Sequence, residues 1–486
     1  MNLLRNRFVK TGALTLFLGV IGILAFHLKF CVRDFDIWWH LKVGDWIVNH
    51  SALPKTGILS RTAADRPWVA YSWGYEVLLS HAYAWFGLIG IGVFGTALTI
   101  GVAFSVYWML RRISGRFWWS YVLAVIASAA FVFTGMPRPG FFSEMLYCAT
   151  LALLLESQRT KKLQPLYWLP AIFFLWANLH IQFIYGLFAV GLFVGVHLTI
   201  SLLSRIGMKL SVIFEPELPL APLLAVFGLC VLATLLGPNL YHPYVAVFTY
   251  TKAKFSYRVI NELQPLNFRW PPHYIELFLA AAAFYVVGWQ RRIDAFKLIL
   301  LAVASAVAFR TMRDAWFLCI SSAACLADFR AMETAREEKD SWQQLSLAAA
   351  CVIVLLLVAA PATDFTTRGL DRAISDNYPV NAINFLRHTA FSGPLYNNLN
   401  WGGFLMWYMP DYPVAIDGRN DLYGDELDEI FYNTESAFAS YKTDHYLDES
   451  GVVVLDSELP LAKILSIDPR FKLIFHDAVA TVYVRQ

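Results

Sequence analysis

In this chain of 486 residues, 58% are hydrophobic and only 15% carry a charge, an apolar share that excludes an ordinary water-exposed surface and makes the bilayer the solvent. The formal net charge is +3 and the basic residues gather in short loop clusters, which argues against a nucleic-acid surface. Of the six cysteines, Cys148, Cys230, Cys319, Cys325 and Cys351 fall inside apolar runs and Cys31 at a boundary, a pattern of free, mostly buried thiols rather than a disulfide framework.

The N-terminal Arg5, Arg7 and Lys10 precede an apolar run over 12–26 that exits into His27, Lys29 and Phe30. Signal cleavage requires small residues before the cut, so this is read as an uncleaved first span. Further apolar runs place spans at 12–28, 88–110, 117–135, 142–155, 166–179, 183–203, 220–236, 274–289, 296–309, 315–327 and 345–360, about eleven helices in all. The runs at 142–155 and 315–327 are short for a bilayer, and 73–86 reads as an extra half-span. The clusters Arg5/Arg7/Lys10, Arg111/Arg112/Arg116, Arg159/Lys161/Lys162, Arg205/Lys209, Arg291/Arg292 and Arg330/Arg336/Lys339 then fall on one side, which the positive-inside rule makes cytoplasmic. The fold expected is a polytopic α-helical membrane domain over 1–360, with an outward loop over 29–72, followed by an extracytoplasmic α/β domain over 361–486. No internal repeat is visible.

The outward loops carry the unusual residues. The first opens Arg33-Asp34-Phe35-Asp36-Ile37-Trp38-Trp39-His40. Ile37, Leu41, Gly44 and Val48 share one helical face, and tryptophan favours the headgroup zone, so a helix lying in the interface is expected with Asp36 at its start. Two readings of Asp34 and Asp36 stay open: they cap that helix, or they activate a nucleophile or hold a divalent cation. Further along, Arg138-Pro139, Asn178-Leu179-His180-Ile181-Gln182, Asn239, His242, Asn261-Glu262, Arg310 and Arg313-Asp314 lie at outward span ends. Singly each satisfies a helix end; jointly they describe a basic, polar cavity suited to a phosphate-bearing ligand.

Beyond Asp364 charged residues become frequent and short β-type runs alternate with helical ones. Strands are expected at 394–396, 414–416, 452–455, 473–475 and 481–484, and helices at 380–388, 425–441 and 459–465. Asn400-Trp401-Gly402-Gly403 and the run Ala415-Ile416-Asp417-Gly418-Arg419-Asn420-Asp421 each fall in a turn at a strand end. Turn chemistry accounts for Gly-Gly and Asp-Gly; Asp417, Arg419 and Asp421 on one loop exceed what a turn needs and mark a binding or docking loop.

Asp34-Phe35-Asp36, Arg138-Pro139, Trp176-Ala177-Asn178-Leu179-His180 and Ile416-Asp417-Gly418-Arg419, set in this plan, resemble the C-class lipid-linked-sugar glycosyltransferases. That superfamily includes protein O-mannosyltransferases, aminoarabinose transferases and the catalytic oligosaccharyltransferase subunit, and the similarity in plan covers nearly the whole chain. Asn400-Trp401-Gly402-Gly403 sits where oligosaccharyltransferases carry a Trp-rich peptide-binding motif but lacks its acidic residue and following aromatic, so peptide recognition is not carried over. The resemblance implies transfer of a sugar from a polyprenyl-phosphate carrier to an acceptor in the cell envelope, at the outer face of a bacterial inner membrane. Asp36, or Asp34, would be the general base, with inversion at the sugar carbon. Arg138, His180, Arg310 and Arg313 would hold the leaving phosphate, and Asp417, Arg419 and Asp421 would contact substrate. A divalent metal is left open, with Asp34 and Asp36 as its ligands.

Two other classes stand beside this one: a flippase or transporter of lipid-linked sugar, which inverted repeats and broken helix pairs would favour, and an inactive envelope scaffold acting through its tail. All three share one topology. A cysteine placed at Ser436 is expected to react with an impermeant maleimide in intact spheroplasts; reaction only after permeabilisation reverses the orientation.

Overall fold

The computed structural model describes residues 6–133, 135–208, 218–290, 292–333, 340–389 and 391–486. Arg5, Lys209, Arg291, Arg336 and Lys339 of the basic clusters lie outside the described residues. Each of the eleven expected apolar segments is helical or begins in a short 3-10 turn. Five helices, Arg7–Arg33, Trp73–Ser114, Gly140–Thr160, Phe183–Arg205 and Trp342–Ala362, are long and apolar enough to cross a membrane among the described residues. The segment 73–86 is the first part of Trp73–Ser114, divided from the rest by Gly87 at φ 57°.

The two short runs lengthen into the helices Gly140–Thr160 and Ala315–Glu333. Counting apolar residues stops at the first charge, whereas the backbone hydrogen bonds continue while the charges find partners. Glu156 meets Arg112, Gln158 donates to Asp294 at 2.9 Å, and Asp328 accepts from the Lys297 ammonium at 2.5 Å.

Contacts divide the chain into two units. One comprises Met1–Phe26, Gly95–Leu240 and Ile260–Thr363; the other comprises His27–Phe94, Tyr241–Val259 and Asp364–Gln486. The boundary at the tail falls close to residue 360, but the first loop groups with the tail rather than with the helical body. The first unit is a helical bundle in which Ala315–Glu333 packs against Pro271–Trp289, Ala295–Arg310 and Phe117–Phe131. At its centre the Tyr147 hydroxyl and Ser321 share a 2.8 Å hydrogen bond.

The second unit is built on a four-stranded sheet. Its strands are β1 (Leu395–Asn397), β2 (Val452–Asp456), β3 (Phe471–His476) and β4 (Ala480–Arg485), in the order β1-β2-β4-β3. β1 runs parallel to β2, while β4 is antiparallel to both β2 and β3. Val452 to Leu455 are wholly buried, as an apolar central strand must be. The expected strand at 414–416 does not join this sheet. Its backbone pairs instead with the first loop: Val414 donates to Leu59 at 3.0 Å and accepts from Arg61 at 2.8 Å. Helices Val380–Arg387 and Pro460–Leu465 are present, and the long helix expected at 425–441 is Asn420–Glu435, with Gly424 at φ 68° inside it.

The helix Ile37–His50 forms as expected, with Trp38 and Trp39 buried in the protein and Trp46 half-exposed. Trp38 is fully buried among Tyr378, Phe404 and Tyr408, with ring centroids 5.8, 5.1 and 5.5 Å away. Val48, expected on the same face as Ile37 and Leu41, is exposed. The packing partner is Gly402–Tyr408, a helix where a Gly-Gly turn was expected. Its glycines serve close approach: a Cβ on Gly402 would stand 2.0 Å from the Ile416 carbonyl oxygen, and one on Gly403 2.8 Å from the Trp39 nitrogen.

The segment Tyr241–Val259 is fastened to the helix Asn420–Glu435. The Asp425 carboxylate accepts the backbone N–H groups of Phe255 at 3.0 Å and Ser256 at 3.3 Å. One turn on, burial and then the neighbouring Asp425 push the Asp428 carboxyl up to about 8. An acid whose folded value lies above its unfolded value of 3.8 keeps a proton that the unfolded chain releases, so stability falls as pH rises between the two. Asp428→Asn is therefore expected to flatten the loss of melting temperature between about pH 5 and about pH 8 and to raise it at the upper end, as followed by thermal unfolding in detergent.

Candidate active site

In the second unit the first loop and the tail motif meet. Asp34 is buried and its carboxylate accepts the Asp36 backbone N–H at 3.1 Å, so Asp34 performs the local capping. Asp36 occupies the N-cap position of Ile37–His50 but makes no side-chain capping bond. Its Oδ1 lies 2.0 Å from where a Cβ on Gly418 would stand, with the Trp39 indole nitrogen 3.1 Å from the same point. No positive φ is recorded for Gly418, so that glycine is needed to admit the carboxylate, not to make a turn. Trp39 stacks on His40 with centroids 3.5 Å apart, and His40 Nδ1 lies 3.2 Å from Glu76 Oε1, which fixes both rings beside Asp36.

The assignment of Asp417 and Arg419 to substrate contact is revised. Both side chains are inaccessible to solvent and bind each other through two bonds, Nε to Oδ1 at 2.8 Å and Nη2 to Oδ2 at 2.7 Å. Arg419 Nη2 also donates to the Ile58 carbonyl at 3.0 Å, and its guanidinium sits 5.0 Å over the Trp68 ring. The Tyr423 hydroxyl lies 2.7 Å from Asp417 Oδ2 and 3.0 Å from Ser60 Oγ. Burial opposes the Arg419 charge, but Asp417 outweighs it and raises the guanidinium further above its usual range. The pair fastens the tail loop to the first loop and leaves neither side chain a face for a substrate. Asp421 accepts from the Trp68 indole at 3.0 Å; burial pushes its carboxyl up to about 6.

In the first unit, short segments gather charge. Arg138 and Arg313 both approach Glu262 Oε1, at 3.6 and 3.8 Å. Burial alone would raise Glu262, but Arg313 and then Arg138 outweigh it and hold the carboxyl below its usual range. Asp314 accepts from Gln182 at 3.0 Å and is pushed up to about 6 by burial. His180 is buried, with its Nδ1 2.8 Å from Ser143 Oγ, and burial, then the Arg313 charge, lower it to about 3. Arg138 and Arg313 are thus drawn together at Glu262, and His180 lies close enough to Arg313 to feel its charge. Arg310 ends the helix Ala295–Arg310 with its side chain exposed. Asn178 bonds to the Phe174 carbonyl of its own helix at 2.8 Å, and His242 is exposed and stacked on Tyr241. Ser143, which supports His180, carried no signal in the sequence beyond its place five residues after Arg138. Among the described residues no group of three His, Cys, Asp or Glu side chains is arranged to hold a metal ion, and no step below is routed through one.

The apolar helices and the four-stranded sheet define a helical membrane protein with a C-terminal domain. No protein-family model and no curated protein matches the chain. Among solved structures it is similar to the Archaeoglobus fulgidus oligosaccharyltransferase in the apo form, with a TM-score of 0.53 over 97% of this chain and 74% of that one at 11% identity. It is also similar to ArnT from Cupriavidus metallidurans bound to undecaprenyl phosphate, with a TM-score of 0.48 over 97% and 98% at 13% identity. At that identity the likeness shows a fold shared with the oligosaccharyltransferase.

The role of Gly418 is open to a direct test. Gly418→Ala places a methyl group on the Asp36 carboxylate and is expected to displace it at a cost of about 1–3 kcal/mol in stability. Gly418→Ala in an Asp36→Ala background should recover most of that loss; a double variant no more stable than the sum of the two single losses predicts removes the contact.

Proposed function

We propose that the protein is a glycosyltransferase moving a sugar from a polyprenyl-phosphate carrier to an envelope acceptor on the outer face of the bacterial inner membrane. The observation that carries this is the Asp36 carboxylate, relieved of capping by Asp34 and set in a fold shared with an oligosaccharyltransferase. The topology follows from the basic clusters, which put the N-terminus in the cytoplasm and the tail outside.

The chemistry falls on two groups of residues. Asp36 takes the proton of the acceptor hydroxyl as its oxygen attacks the anomeric carbon. The bond from that carbon to the phosphate oxygen breaks with its electrons leaving on phosphate, and the sugar centre inverts. Arg138 and Arg313, held 3.6 and 3.8 Å from the Glu262 carboxylate, meet the growing phosphate charge, because donors fixed in advance stabilise charge that develops in the transition state. Arg310 is assigned to the same phosphate by its place three residues before Arg313.

Asp36→Asn keeps the shape of the side chain and removes the base. Purified protein supplied with polyprenyl-phosphate sugars should transfer or release sugar, and the variant should lose about 10² to 10⁴ in rate. Full activity in a folded Asp36→Asn protein eliminates the base assignment. Movement of lipid-linked sugar across vesicles, unchanged by that substitution and without release, identifies a transporter.

A further inference from the structure

Beneath the two arginines a chain of three buried side chains has one consistent arrangement of its protons. The Trp176 indole nitrogen lies 2.7 Å from Ser143 Oγ, and Ser143 Oγ lies 2.8 Å from His180 Nδ1. Trp176 and Ser143 are completely buried, and His180 nearly so at 7% exposure. An indole N–H can only donate, so Ser143 accepts from Trp176 and retains a single hydroxyl proton. That proton has one recorded acceptor among the described residues, His180 Nδ1. The opposite arrangement, with Nδ1–H donating to Ser143, would need a second acceptor for the hydroxyl, and the described residues record none. Nδ1 is therefore the lone-pair nitrogen, and the ring proton sits on Nε2.

The ring's setting fits a donor to an anion. His180 follows the helix Leu169–Leu179 in an extended conformation, with its backbone N–H tied to the Trp176 carbonyl at 2.9 Å. Its Cε1, next to Nε2, comes within 3.8 Å of a Cβ built on Gly140, the first residue of Gly140–Thr160. Gly140 opens that 21-residue helix, whose N-terminus carries a positive dipole end, while the Phe141 and Phe142 N–H groups are bonded to the Arg138 and Pro139 carbonyls. The charged groups around it are Arg138, Glu262, Arg313 and Asp314. A third cation would be repelled by Arg138 and Arg313; a neutral N–H is not, and it still bonds an oxyanion.

We propose that Trp176 and Ser143 are positioning residues that fix His180 as a neutral Nε2–H donor to a non-bridging phosphate oxygen of the lipid-linked donor, beside Arg313. This rests on the phosphate assignment made above and adds to it how the site carries a third donor without a third charge. Keeping the ring uncharged spares the arginines a competing cation, and the fixed proton gives the oxygen a direction that a freely rotating hydroxyl does not.

The tautomer and the ligand are tested separately. Protein labelled with ¹⁵N-histidine contains 11 histidines, and the signal lost in His180→Gln identifies this one. It should show the neutral Nε2–H pattern, unchanged between about pH 8 and about pH 4.5, where ordinary histidines titrate. Ser143→Ala should abolish the fixed pattern while other histidine signals stay in place. An Nδ1–H pattern, or protonation near the ordinary histidine value, overturns the proposal. Binding is then read with dodecyl phosphate: His180→Phe should weaken it about tenfold or more, as loss of a hydrogen bond to a charged group does, whereas His180→Gln, which restores an N–H at that reach, should stay within about threefold. Equal binding by the unaltered protein and His180→Phe overturns the role of His180 alone. If dodecyl phosphate does not bind the unaltered protein, the phosphate assignment itself falls, and this proposal with it.

Discussion

The second unit depends on taking one ion pair, Asp417 with Arg419, entirely out of water. Such a pair repays its desolvation only when most remaining donors and acceptors are met, and two of the groups that meet these two, Ile58 and Trp68, come from the first loop, with Tyr423 from the tail helix. Removing either partner would strand a buried charge at about 3–5 kcal/mol. The close approach of Gly418 to Asp36 is a by-product of this fastening, since Gly418 stands between the two paired residues. The position of the proposed base is therefore set by a contact in which it takes no part.

In the first unit the electrostatics run the other way. Two guanidiniums face one carboxylate oxygen, and the nearby Asp314 is held by burial closer to its neutral form than an exposed aspartate would be. Charges of both signs are thus crowded at the ends of helices, where interactions are stronger than in bulk water because the effective dielectric is lower.

Much of this was legible in the sequence, and what was not has a common cause. Apolar runs located the long helices described in the body, because lipid and bundle both require apolar surface. The ends of Gly140–Thr160 and Ala315–Glu333 were misplaced because Glu156 and Asp328 are satisfied by Arg112 and Lys297 on other helices, partners that no local window contains. Trp38 and Trp39 read as interfacial because tryptophan serves headgroups and cores alike; Gly402 and Gly403, more than 360 residues later in the chain, decide for the core. Val414–Ile416 has strand composition and does pair its backbone, but with the first loop. Trp176 and His180 stand out by their spacing of four, one helical turn, whereas the serine that joins them lies on another helix.

The helix Trp342–Ala362 differs from its neighbours in how little of it is covered: only 11% of its apolar window is buried. Its Ser341–Gln344 capping box fixes the first turn, and beyond that few side chains constrain its angle. At 1.5 Å per residue its length is about 31 Å, close to the roughly 30 Å hydrocarbon thickness of a bilayer. An element matched to lipid rather than to protein answers to hydrophobic mismatch: in a thinner membrane it tilts, at a cost of fractions of a kcal/mol per ångström. Among the described candidate spans this helix, the least covered by protein, is thus the one expected to respond most to bilayer thickness, where the buried helices are held by their neighbours.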